Sequence, residues 1–86
     1  MGAMKRWLTE AVEPFEDQGI PFEVLVDRFN LAETIQTAMA RRGLEPTPTA
    51  LARVSGISEP EARAIVHRRL DLLNARRLLD IVGILG

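Results

Sequence analysis

An all-α fold is the expectation for these 86 residues, and three features carry it. Apolar residues recur every three or four positions in one segment after another. Cap residues, Gly and Pro fill the breaks between those segments. No stretch alternates apolar and polar residues as a half-buried strand would. The architecture expected is a compact bundle of five to six helices.

Met4, Trp7, Leu8, Ala11, Val12 and Phe15 stand at helical spacing, so the first segment reads as an amphipathic helix that Pro14 ends or bends. Gly19 and Pro21 mark the break after it. Phe22, Leu25, Val26 and Phe29 give a second apolar face, with Pro21 at a favourable helix start. Asn30 with Glu33 resembles a capping box, and Leu31, Ile35, Ala38 and Met39 share one face beyond it. Residues 22–42 are therefore either one helix or two.

Gly43 is a helix stop, followed by the turn-rich link GLEPTPT. Thr47 is the next cap, Pro48 suits the first helical position, and Leu51, Ala52 and Val54 form the apolar side of a short helix closed by Gly56. Ser58 caps the helix after that, with Glu61 placed to bond back to the cap. Ala62, Ile65, Val66 and Leu70 are expected to face inward. A final helix over about 74–85 starts at the Asn74 cap and carries Leu78, Leu79, Ile81, Val82 and Leu85 as its apolar residues.

Composition narrows the function classes. Apolar residues are 47% of the chain, enough for a folded core, but aromatics are only 5%, so that core rests on aliphatic side chains. The chain has no cysteine, which removes disulfides, thiolate metal sites and cysteine nucleophiles together and suits a cytoplasmic protein. No apolar run approaches the roughly 18 residues of a membrane span, and the N-terminus lacks the apolar stretch of a secretory signal. His67 is a lone histidine without a ligand partner, so no metal and no cofactor are expected. No set of residues assembles a nucleophile, a base and an oxyanion donor, and the chain does not read as an enzyme.

The net charge of −1 is unevenly spread. Residues 1–30 carry six acidic groups against three cations, a balance of −3. Residues 31–86 carry eight cations against six acidic groups, a balance of +2, and every one of those cations is Arg. Arg is the side chain best suited to two-point contact with phosphate or guanine.

Residues 51–65, LARVSGISEPEARAI, hold the most informative constellation. Two helices meeting at a steep angle over about three residues need a small residue where their backbones approach, which Ala52 supplies. They also need a turn residue that tolerates positive φ, which Gly56 supplies. Ile57 follows as an apolar plug, and Ile65 faces the core. With these residues the stretch resembles the Cro/repressor-type (XRE-like) helix-turn-helix family, at L-A 51–52, G-I-S 56–58 and Ile65. R-R-G-L at 41–44 resembles the end of that family's first helix, and D-I-V-G-I-L-G at 80–86 its closing helix. The resemblance covers about residues 31–86. It leaves 1–30 as an N-terminal helical extension suited to dimerisation or partner binding. The chain departs from the family pattern at Ala62, where Ile or Val is usual, and in a link lengthened by Glu45 and Pro46.

The resemblance implies sequence-specific binding of double-stranded DNA by a transcriptional regulator, with the helix at about 58–69 in the major groove and two copies acting as a homodimer. Carried over by position, Ser58, Glu59, Glu61, Arg63, Ala64, His67 and Arg68 should point outward. Arg63 would pair with guanine and Glu59 or Glu61 would accept from cytosine. Thr49 and Ser58, near helix N-termini, would hold phosphates. Arg53, Arg68, Arg69, Arg76 and Arg77 are the expected backbone anchors. The acidic N-terminal helices and the apolar C-terminal helix compete as dimer surface. Glu59 and Glu61 are unfavourable toward a polyanion, and they support an alternative: a helical protein-interaction module, antitoxin-like or RNA-polymerase-binding, on the same scaffold.

Overall fold

A computed structural model describes Phe15 and residues 18–86. The helix expected over Met4–Phe15 lies, except for Phe15 itself, outside the described residues. The regular structure that is described is entirely helical. Helix α1 spans Phe22–Arg41, α2 Pro48–Ser55 and α3 Glu59–Val66; a 3-10 turn follows at Leu70–Leu72, and α4 spans Ala75–Leu85. None of these helices is long and apolar enough to cross a membrane.

Helix α1 is a single helix of 20 residues, which decides between the two alternatives for 22–42. It runs without a break past residue 30, where the sequence separates the extension from the motif. The capping box expected at Asn30 and Glu33 does not form. Asn30 lies within the helix, and its carbonyl accepts from Thr34 Oγ1 at 2.9 Å. The reason is the apolar stripe that crosses this point: Leu25, Phe29, Ala32, Ile35 and Met39 stand at helical spacing and are all buried. Burying such a stripe contributes about 1.5–3 kcal/mol per large side chain, more than the roughly 1 kcal/mol of a local cap.

The remaining ends follow local chemistry. Thr47 Oγ1 accepts from the Ala50 N–H at 3.2 Å, Ser58 Oγ from Glu61 N–H at 3.3 Å, and Asn74 Oδ1 from Arg77 N–H at 3.2 Å. Pro48 sits in the first turn of α2, where its missing donor has no cost.

α1 packs chiefly against α4, and α2 against α3. One core joins all four helices: Leu25, Ile35 and Met39 from α1, Leu51 from α2, Ile65 from α3, Leu70 from the 3-10 turn, and Leu78 and Ile81 from α4 are fully buried. Ala62 and Ile65 face inward as expected, and Val66 is half-buried against the same core. Leu79 is 57% exposed, because α4 buries the face of Leu78, Ile81 and Leu85 and turns Leu79 away from it.

Candidate nucleic-acid interface

α2 and α3 are joined by Gly56, Ile57 and Ser58. Gly56 has φ +77, the left-handed conformation, and its N–H closes α2 by donating to Ala52 O at 2.9 Å. Ile57 is buried under the corner. The chain then restarts as a helix under the Ser58 cap. Glu59 and Glu61 lie in the first turn of α3, where the positive end of the helix dipole favours carboxylates.

α3 has two unlike sides. Ala62, Ala64 and Ile65 are buried, while Ser58, Glu59, Pro60, Arg63 and His67 are exposed. Arg63 and Glu59 are one turn apart on the exposed side and form an ion pair of 3.6 Å. Pairs this exposed cost little to separate. Ala64 corrects an expectation: its position in the family pattern puts it outward, and it is only 7% exposed. The chain after α3 folds back over that side. Arg69 N–H donates to Ala64 O at 2.9 Å, and Leu72 and Leu73 line the same recess as Ala64.

Glu61 also departs from its expected role. Its amide N–H uses the Ser58 cap, but its carboxylate turns to Arg77 of α4 instead of back to the Ser58 N–H. Arg77 Nε meets Oε2 at 2.9 Å and Nη2 meets Oε1 at 3.2 Å. A two-point guanidinium–carboxylate contact is stronger than a bond to a neutral amide, which explains the choice. Hydrogen bonding and charge attraction from Glu61 hold the Arg77 pKa above its ordinary value.

The six expected cationic contacts divide sharply. Arg63, Arg69 and Arg77 are exposed and paired, with Glu59, Asp71 and Glu61. Arg53 and Arg76 are exposed and bond no side chain among the described residues; the same holds for Thr49 and His67. Arg68 is different from all of these. Its side chain is only 18% exposed, and it pairs with Glu33 and donates to Gln36, both on α1. Nη1 of the same guanidinium donates to Ile65 O at 2.7 Å and Val66 O at 3.3 Å, the last carbonyls of α3. The Arg68 backbone has φ +57, the sole positive φ outside glycine among the described residues. For an L-residue that conformation costs roughly 1–2 kcal/mol.

Sequence reasoning missed the partners that hold α3 and its exit. Arg28 of α1 donates from Nη1 to Leu70 O at 2.8 Å, and its Nε is buried without a hydrogen-bond partner. Arg42 donates to Leu85 O at 3.1 Å at the end of α4. A signal for Arg28 was present: it stands between Leu25 and Phe29 at the spacing of the buried stripe, so its stem had to lie along the core. Gln36, beside Ile35 and one turn from Ala32 and Met39, carries the same signal.

A cavity of about 620 Å³ is an open groove between α1 and the end of α4, lined by Asn30, Thr37, Arg41, Arg42, Val82 and Leu85 among others. None of its residues belongs to α2 or α3. Among the described residues no group of three His, Asp or Glu side chains is close enough to hold a metal ion. No family model matches this chain, and no match to it is found among curated proteins or solved structures.

Proposed function

We propose that the chain is a sequence-specific DNA-binding transcriptional regulator in which α2 and α3 act as a helix-turn-helix and α3 enters the major groove. One observation carries the reading. α3 is pivoted on a left-handed glycine, buries Ala62, Ala64 and Ile65, and leaves Ser58, Glu59, Pro60, Arg63 and His67 exposed along its other side.

Arg63 is the base-reading cation. Breaking its exposed pair with Glu59 releases both groups at little cost, the guanidinium for guanine O6 and N7 and the carboxylate for cytosine N4. Ser58 and the first N–H groups of α3, with Thr49 at the start of α2, take phosphates. Arg53 and Arg76, which bond no other side chain among the described residues, are the principal backbone anchors. Arg69 joins them when its pair with Asp71 opens, while Arg77 is held by Glu61 at two points. Two copies on paired half-sites form the working unit, in the cytoplasm, and the acidic N-terminal region is open to a protein partner.

A second reading, a helical protein-interaction module, is favoured by one feature: the large apolar side chains Leu72, Leu79 and Ile84 stand exposed on and before α4. Duplex binding measured against salt separates the two. Groove binding through Arg53, Arg63 and Arg76 gives an affinity that falls steeply with salt, because phosphate contacts release counterions. Absence of duplex binding at low salt, with R63A and R76A both silent, supports the interaction module instead.

A further inference from the structure

Arg68 occupies a backbone position where glycine is at ease, with φ +57, and the turn is closed locally by Arg68 N–H to Ile65 O at 3.2 Å and Arg69 N–H to Ala64 O at 2.9 Å. Its side chain accounts for the choice of residue. The guanidinium turns back under α3 to bond Ile65 O and Val66 O, and reaches across to Glu33 and Gln36 on α1. A glycine would make the turn but none of these four contacts. A lysine would carry the charge without the planar fork that lets one side chain bond two carbonyls, a carboxylate and an amide together. The end of α3 is thereby tied to α1, the longest helix among the described residues, through a partly buried charge.

We propose that Arg68 is a positioning residue: the latch from α1 through Arg68 to the last carbonyls of α3 fixes how α3 stands against the core, and so sets the line along which Arg63 and Glu59 meet a duplex. The proposal rests on the reading of α3 as the groove-entering helix. It removes Arg68 from the phosphate-contacting set, since both terminal nitrogens of the guanidinium are already engaged within the fold. Arg28, which bonds Leu70 O just beyond, steadies the exit from the same turn.

The test uses the full chain and the charge-balanced double variant R68G/E33Q. Glycine keeps the turn and the paired change keeps the net charge, so the helices still form. A second variant, E33A/Q36A, leaves Arg68 in place and removes its partners on α1. Two readouts are taken: amide hydrogen exchange in α3, and the ratio of affinities for a selected duplex and for a random one. Both variants are expected to exchange α3 amides about tenfold faster and to lose about tenfold in the affinity ratio, a factor equal to one decade of binding constant. Random-duplex affinity should change far less in R68G/E33Q. Unchanged exchange and an unchanged ratio overturn the proposal. So does a parallel fall of specific and random affinity in R68G/E33Q, which is what loss of folded protein alone would give. If the wild-type chain selects no duplex at all, the DNA reading fails by itself, and the exchange measurement still decides whether Arg68 holds α3.

Discussion

Arg77 of α4 clasps Glu61 of α3 at two points, Nε to Oε2 at 2.9 Å and Nη2 to Oε1 at 3.2 Å. The contact ties the first turn of α3 to the first turn of α4, and it also neutralises a carboxylate that a polyanion would meet. Both consequences can be measured.

Replacing Glu61 by Gln removes the carboxylate and releases Arg77. The expected result is tighter duplex binding at low salt, with the salt dependence steeper by about one unit for the added phosphate contact. A salt titration of the E61Q variant checks it; unchanged affinity and slope would mean that Arg77 does not face the duplex. Arg77 has a raised pKa in the folded chain, so what its pairing contributes to stability is fully present below the ordinary arginine pKa. It is lost only as pH rises through the folded value, and E61Q and wild type should therefore differ by a constant amount across neutral and mildly alkaline pH.

Gly56 tests the corner between α2 and α3. A Cβ there meets nothing within 4 Å, so the penalty for Ala is conformational alone. G56A should destabilise the fold by about 1 kcal/mol, and G56N by less, since Asn tolerates the left-handed region better. Urea unfolding of the two variants reads the difference. Equal stability of G56A and wild type would show that the corner adopts another conformation.

The division of α4 into a buried and an exposed side predicts opposite outcomes for two neighbouring residues. Ile81 is fully buried, and I81A should cost about 3 kcal/mol through lost burial and the cavity left behind. Leu79 is more than half exposed, and L79A should stay within about 0.5 kcal/mol of wild type. Thermal or urea unfolding distinguishes these directly. A large loss on L79A would place that side chain in an interface that the single chain does not contain.

What could be read from the sequence is what short-range chemistry decides. The caps at Thr47, Ser58 and Asn74, the left-handed Gly56 and the helix spans after residue 47 were legible because each depends on residues within one turn. The misjudged positions depend on residues far apart in the chain. Asn30 resembled a cap, but a buried stripe carried the helix through it. Ala64 lies outward on an isolated helix and is covered because the 3-10 turn returns over it. Arg68 looked like one more surface cation of an R-R pair. Its partner Glu33 is 35 residues earlier, and no periodicity within α3 indicates it. The candidate site was legible as a helix with Arg63, Glu59 and His67 on one side; which of its arginines were already engaged was not.

Selection of duplexes from a random pool by the full chain, repeated with R63A and R53A, tests the central claim that the outward side of α3 reads base pairs. The expected result is an enriched sequence with inverted symmetry, a lost preference at one base pair of each half-site for R63A, and the same sequence with weaker binding for R53A. A pool that emerges without enrichment, or an R63A variant that selects the wild-type sequence with wild-type affinity, would contradict it.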